Sequence, residues 1–221
     1  MGSRETRGEP GDRTGYHAHR RPEVLALVPP DTSDVLDCGC AAGELGAQLT
    51  ERGHRVIGIE PHAAAAALAR GRMARVIEST VEAALREIAE SSVDCVICAD
   101  VLEHLVDPWT TTAALVARLR PGGVFICSVP NTRHLGVVAD LVLRGRWTYR
   151  AEGVLDRTQL RFFTRSSLVD LLRGAGLTVD LVAPTREVYI GPLAVAAACL
   201  GLFSGEWRAA QWLARARKLQ P

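Results

Sequence analysis

The sequence predicts an α/β protein: a doubly wound, mostly parallel sheet with helical additions in its second half. Three observations predict it. Between Ser33 and Asn131, short apolar runs alternate with helical segments, the pattern of repeated strand–helix units. The apolar runs are continuous, as expected of parallel strands covered on both faces. Acids close several of them, at Asp37, Glu60 and Asp100, where sheets of this kind bind ligands.

Each element follows in order. "YHAHRRPEVLALVPP" predicts a first helix that stops at Pro29-Pro30. "SDVLDCG" is the first strand, and "GELGAQLTERG" a helix closed by Gly53. "HRVIGIE" is the second strand. "PHAAAAALARG" is a helix with Pro61 in its first turn and Gly71 at its end. "MARVIES" and "VEAALREIAE" form the third strand and helix, and "SVDCVICAD" the fourth strand. "WTTTAALVARLRPGG" is a helix ending in its Pro-Gly-Gly turn, before the fifth strand "VFICSVPN". The rhythm then breaks. "TRHLGVVADLVLRGRW" is helical, "TYRAEGVLDRTQLRFFT" a loop, and "RSSLVDLLRGAGL" a helix capped by Ser166 or Ser167. "LTVDLVAPT" is a sixth strand, and "AAQWLARARKL" supplies a last one.

The 221 residues suit one domain with a real core, and 48% hydrophobic against 23% charged residues is an ordinary globular balance. A formal net charge of +1 carries no electrostatic footprint for nucleic acid. Residues 1–14, polar and rich in Gly and Pro, lack the apolar core of a secretion signal. They read as a disordered tail before a single domain over 15–221. Five of the six cysteines, Cys38, Cys40, Cys95, Cys98 and Cys127, fall in or beside strands. They read as buried thiols in a reducing cytoplasm, since zinc ligands would sit on loops. The uncharged stretch Val188–Phe203 is shorter than the ~20 residues of a membrane span, and Gly191-Pro192 interrupts it. It reads as a buried or lid helix, with an interfacial helix as the alternative, so a membrane is not an expected partner.

The turn "DCGCAAG" after the first strand poses the ligand question. A dinucleotide turn needs G-x-G-x-x-G; with Gly39 first, the second and third positions are Ala41 and Glu44, and a glutamate there opposes phosphates. A nicotinamide-dependent oxidoreductase is therefore a rival with a failed glycine register. A phosphate loop is excluded, because no Gly-Lys-Ser/Thr follows. Another ligand fits. Glu60 stands about 20 residues beyond Gly39, the spacing at which a carboxylate holds ribose hydroxyls. Asp37 would attract an ammonium group. A nucleoside joined to a cationic amino acid is S-adenosylmethionine. Ala41 adds one methyl group at a close-approach point, which leaves binding intact if that position does not need a positive φ.

"VLDCGCAAGELG" resembles the first motif of class I S-adenosylmethionine-dependent methyltransferases, and "VIGIEP" is similar to their second. "DCVICADVLEHLVDP" and "LRPGGVFICSVPN" resemble their fourth- and fifth-strand motifs. "SVPNTRH" and "GVLDRTQLRFFTRSSLVDLLRGAGL" resemble a bacterial subgroup of small single-domain members, similar to the O-methyltransferases of quinone and natural-product biosynthesis. The resemblance covers roughly Tyr16 to Leu177. It implies a Rossmann-like, seven-stranded sheet whose last strand is antiparallel, with substrate-facing segments at about 131–165 and 186–208. It implies that Asp37, Gly39, Ala41 and Gly43 line the methionine end, that Glu60 binds ribose, and that Ala99 and Asp100 lie beside the reacting methyl. The acid expected near adenine after the third strand is missing; Thr80 or Val81 stands there. The first helix often closes over the cofactor in this class, which makes Tyr16 a lid contact. His17 and His19, two apart, fall on different helix faces and make no metal pair.

Methyl transfer from a sulfonium needs alignment, and an oxygen acceptor also needs a base. His104 is either base or substrate ligand, or it packs the following loop with Glu103 beside it. His134, at the start of the helix after the fifth strand, is a second candidate. Gln159 stands where the subgroup usually shows histidine; it could orient a substrate but cannot take a proton. Asp156 either meets the substrate or pairs with Arg157, and Phe162 and Phe163 read as core. The expected activity is methylation of a small molecule on oxygen, with nitrogen the alternative and a non-catalytic cofactor-binding protein the rival of another class. A homodimer is left open.

Overall fold

The computed structural model describes residues 21–187 and 205–220. Tyr16, His17, His19, Cys199, the expected tail and the apolar stretch 188–203 lie outside the described residues.

The sheet has seven strands: β1 (Asp34–Cys38), β2 (Arg55–Ile59), β3 (Arg75–Ile77), β4 (Val93–Ala99), β5 (Leu119–Pro130), β6 (Leu177–Glu187) and β7 (Ala209–Lys218). Their order is β3-β2-β1-β4-β5-β7-β6. β1 to β5 pair in parallel, and β7 runs antiparallel between β5 and β6. The order reverses between β1 and β4, which opens the ligand crevice of such sheets. β1 is buried at every residue, which is why its sequence is an apolar run closed by polar groups. One face packs Leu36, Cys38, Val96, Cys98, Phe125 and Cys127 with other apolar side chains. The opposite face packs Val35, Cys95, Ile97, Val124 and Ile126.

The helices are α1 (Pro22–Leu25), α2 (Glu44–Glu51), α3 (Ala63–Ala69), α4 (Val81–Ala84), α5 (Pro108–Arg118), α6 (Leu135–Arg144) and α7 (Arg165–Gly174). Helix boundaries differ from the sequence reading: α1 is one turn that ends at Leu25, short of Pro29-Pro30, and α6 begins at Leu135 and ends at Arg144, with Gly145 as its cap, short of Trp147. α3 is capped by His62, so Pro61 precedes the helix instead of opening it. α4 is one turn and tightens into a 3-10 turn at Leu85–Glu87. α5 stops at Arg118, and Pro121-Gly122-Gly123 lies inside β5, where a register shift against β4 accommodates it. α7 is capped by Thr164, whose side chain accepts from the Ser167 amide while Ser167 answers the Thr164 amide. Among the described residues, no helix is long and apolar enough to cross a membrane.

Candidate functional site

The turn from β1 into α2 alternates left-handed residues: φ is +68° at Gly39, +49° at Ala41 and +84° at Gly43. A Cβ on Gly39 would lie 2.7 Å from Val101 Cγ2, so the turn presses against the residues beyond β4. The condition attached to Ala41 is therefore not met. It holds an L-residue in the left-handed region, at a cost of roughly 1–2 kcal/mol. Its amide is fixed there by a 2.9 Å bond to Glu60 Oε2. The neighbouring amides are also engaged: Gly39 and Cys40 donate to Ile59 O at 2.8 and 3.0 Å, and Gly43 to Cys40 O at 2.9 Å. These are the groups a pyrophosphate would need, so the turn is not an anion cradle.

Instead, carboxylates converge here. Asp37 is 3% exposed, and its Oδ2 has no partner. Burial pushes its pKa up to about 7, against the nearby Arg21 cation and with help from Glu60. Glu60, 4% exposed, accepts the Ala41 and His62 amides, each at 2.9 Å; each oxygen keeps a lone pair for a hydroxyl. Ala99 ends β4, and Asp100 follows with φ +58°. Asp100 Oδ2 takes Arg21 Nη1 at 2.7 Å, and Oδ1 accepts Ser128 Oγ at 2.8 Å and Gln211 Nε2. Arg21 Nη2 also reaches Ser128 Oγ at 2.9 Å. Arg21, Ser128 and Gln211 were invisible to sequence reasoning; a polar residue inside the apolar runs of β5 and β7 was the one local signal. Thr80 caps α4, accepting from the Ala83 amide at 3.4 Å, and Val81 beside it is buried.

Beyond β4, a 3-10 turn at Leu102–His104 carries Glu103 and His104. His104 Nδ1 lies 3.1 Å from Thr158 O and 3.3 Å from Thr158 Oγ1, so this ring does meet the 150–163 loop. Glu103 is 1% exposed, its Oε2 has no partner, and its carbonyl accepts the Leu160 and Arg161 amides. Burial, then Asp100, pushes its carboxyl well above the usual range. His134 caps α6: Nδ1 accepts from Gly136 N at 3.3 Å, while the buried Nε2 has no partner. Burial lowers its pKa. Asp156 Oδ1 accepts Thr158 N and Oγ1, both at 2.7 Å, and among the described residues it forms no ion pair with Arg157. Gln159 is buried and donates to Gly153 O at 3.0 Å, tying the loop to itself. Phe163 is core, as read, but Phe162 is exposed on the loop's outside.

The five described cysteines are buried, and burial raises the Cys95 and Cys127 thiols. Among the described residues, no three His, Cys, Asp or Glu side chains are placed to hold a metal ion. S-adenosylmethionine fits this donor set. The orphaned Asp37 oxygen could accept from its ammonium and the two Glu60 oxygens from its ribose hydroxyls, and its positive charge suits a crevice rich in acids.

Comparison with known proteins agrees. Residues 12–182 match the model of a methyltransferase domain family. A ubiquinone biosynthesis O-methyltransferase from Cereibacter sphaeroides is 32% identical over 163 residues, covering 70% of this chain and 64% of that protein's length. The crystal structure of an S-adenosylmethionine-dependent methyltransferase from Archaeoglobus fulgidus has the same fold, with a TM-score of 0.67 at 17% identity, over 86% of this chain and 87% of that one. So does the Burkholderia thailandensis 1,6-didemethyltoxoflavin-N1-methyltransferase with bound S-adenosylhomocysteine, with a TM-score of 0.62 at 22% identity, over 94% of this chain and 82% of that one. The turn that declines phosphate, the acids at the strand ends and these likenesses together show that the chain belongs to the S-adenosylmethionine-dependent methyltransferase family.

Proposed function

We propose that this protein transfers the methyl group of S-adenosylmethionine to an oxygen of a small molecule, with His104 as the general base. The observation that carries the assignment is what faces each ring: a carbonyl at His104 and an amide at His134. A carbonyl oxygen can only accept, so Thr158 O makes His104 Nδ1 the protonated nitrogen and leaves Nε2 as a free lone pair. That tautomer can take a proton. At His134 the partner is an amide, which can only donate, so Nδ1 carries the lone pair and the ring proton sits on Nε2. His134 is then a hydrogen-bond donor toward a substrate.

Bound S-adenosylmethionine supplies an activated methyl on a sulfonium. The chain supplies binding, alignment and proton removal. Asp37 holds the ammonium, Gly39, Ala41 and Gly43 shape the turn around the methionine end, and Glu60 holds the ribose. Thr80 and Val81 border the adenine. Ala99 and Asp100 flank the reacting end, where Arg21 answers the carboxylate of the methionine moiety. Asp156 and Gln159 brace the loop that seats His104 and so act by position. The similarity to an O-methyltransferase supports oxygen as the acceptor.

The test is transfer of a labelled methyl to a panel of phenols and amines. Phenols are expected to react, with His104→Ala lowering kcat about 100-fold or more, the range of general base catalysis, while leaving cofactor affinity intact. Exclusive methylation of amines would overturn the oxygen assignment. Tight binding of S-adenosylhomocysteine with no turnover on any acceptor would leave a non-catalytic binding protein.

A further inference from the structure

The loop that faces His104 is fastened to it at more than one point. Leu160 and Arg161 donate to the Glu103 carbonyl at 2.8 and 2.9 Å, which ties the loop to the 3-10 turn that carries His104. Thr158 makes the contact with the ring itself. Its hydroxyl and its amide both donate to Asp156 Oδ1, each at 2.7 Å. The hydroxyl oxygen also lies 3.3 Å from His104 Nδ1.

A hydroxyl has one proton to give, and a carboxylate oxygen can only accept. At 2.7 Å Asp156 takes that proton, so Thr158 Oγ1 turns a lone pair toward the ring. His104 Nδ1 is then the donor to Oγ1, as it is to Thr158 O. Two acceptors fix one tautomer, but only the hydroxyl is linked to a charge. Asp156 is 6% exposed, and among the described residues it forms no ion pair. A buried carboxylate without a cation is costly. His104 can supply the cation. As Nε2 takes the proton of the acceptor's hydroxyl, the ring gains N–H at both nitrogens and a positive charge. The acceptor oxygen keeps the electron pair that bonds the methyl.

We propose that Asp156, Thr158 and His104 form a relay. Asp156 fixes the direction of the Thr158 hydroxyl. That hydroxyl, as a positioning group, holds His104 in the tautomer that can take a proton and stabilises the charged ring that results. The inference rests on His104 as the base and adds the two residues that prepare it. Glu103, though next in sequence, takes no part: among the described residues its carboxyl makes no bond to the ring, and its Oε2 has no partner.

The experiment compares Thr158→Val, Thr158→Ser, His104→Ala, and Thr158→Val combined with His104→Ala. Valine keeps the branched shape and the backbone carbonyl and removes only the hydroxyl. Thr158 is exposed, so the variant keeps its fold; unchanged S-adenosylhomocysteine affinity checks this. The 15N shifts of the His104 ring, read in the cofactor-free protein well above neutral pH, report the tautomer without any turnover. The parent and Thr158→Ser should show Nδ1 protonated. Thr158→Val should move the tautomer ratio toward the other form by about two- to tenfold, the order of one hydrogen bond. On a phenol that the parent methylates, Thr158→Val should lower kcat about tenfold at unchanged KM, and Thr158→Ser should recover most of it. The double variant should be no slower than His104→Ala, because the hydroxyl acts through the ring. Equal tautomer ratios in the parent and Thr158→Val overturn the relay. So does a Thr158→Val loss in kcat that persists undiminished without His104, which marks a structural role of the loop. Full kcat in His104→Ala overturns the base assignment instead, and the 15N shifts still decide whether the hydroxyl holds the ring.

Discussion

Asp37 is a site where binding and stability oppose each other, and Asp37→Asn separates them. Burial raises the folded-state pKa from the ordinary aspartate value of 3.8 to about 7. In the unfolded chain the carboxyl ionises at the ordinary value. Between those two pH values the folded protein holds a proton that the unfolded chain has released. Stability therefore falls as pH rises through this window and levels off above about 7. The difference in proton affinity is roughly a thousandfold, and at about 1.4 kcal/mol per tenfold it amounts to about 4 kcal/mol. Asparagine removes that penalty. It keeps a buried amide in its place, which returns roughly 1–3 kcal/mol of the gain. Relative to the parent, the cofactor-free variant should gain about 1–3 kcal/mol at pH 8, and the difference between the two should shift by about 4 kcal/mol from pH 4 to pH 8. Urea unfolding across that range measures it. A stability difference that does not change with pH would refute the argument that Asp37 is held protonated by burial. In the same proteins, the parent's affinity for S-adenosylhomocysteine should rise between pH 5 and 7, by up to about tenfold per pH unit, as the carboxylate forms to meet the ammonium. Asp37→Asn should show weak, pH-independent binding.

Other outcomes follow from the same site. Glu60→Ala removes the carboxylate that accepts from the Ala41 and His62 amides; it should lower stability by about 1–3 kcal/mol in thermal unfolding and abolish measurable cofactor binding, and a variant that bound as tightly as the parent would refute the ribose assignment. Ala41→Gly relieves the left-handed strain at +49° and loses some backbone order, for a net gain of about 0.5–1 kcal/mol, read by urea unfolding at unchanged cofactor affinity. His134→Ala should keep the shape of the pH–rate profile and raise KM, because the histidine acts as donor; loss of the acid-side limb there instead of in His104→Ala would exchange their roles. Gln159→Ala, which frees the Gly153 carbonyl, should lower kcat through the loop without moving the pH profile.

The sequence by itself determined the strand–helix succession and the ligand class, both from local constraints, while the antiparallel last strand was implied only by the family resemblance. A strand buried on both faces must be an apolar run, as β1 is, and a turn bounded by Asp37 and answered by Glu60 excludes phosphate by charge alone. Helix ends were less legible, because Thr164 and Ser167 or Pro61 and His62 compete for the same cap by contacts their order does not rank. Tertiary structure alone decided the rest. Arg21 reaches Asp100 and Ser128 across 79 and 107 residues of sequence, and no period or spacing encodes such a meeting. The tautomers of His104 and His134 depend on whether a carbonyl or an amide faces the ring, a choice made by the loop's path and not by either histidine. The strain at Ala41 is likewise a property of the backbone held between β1, β2 and α2. Composition shows one methyl group there, and only the fold sets the sign of φ.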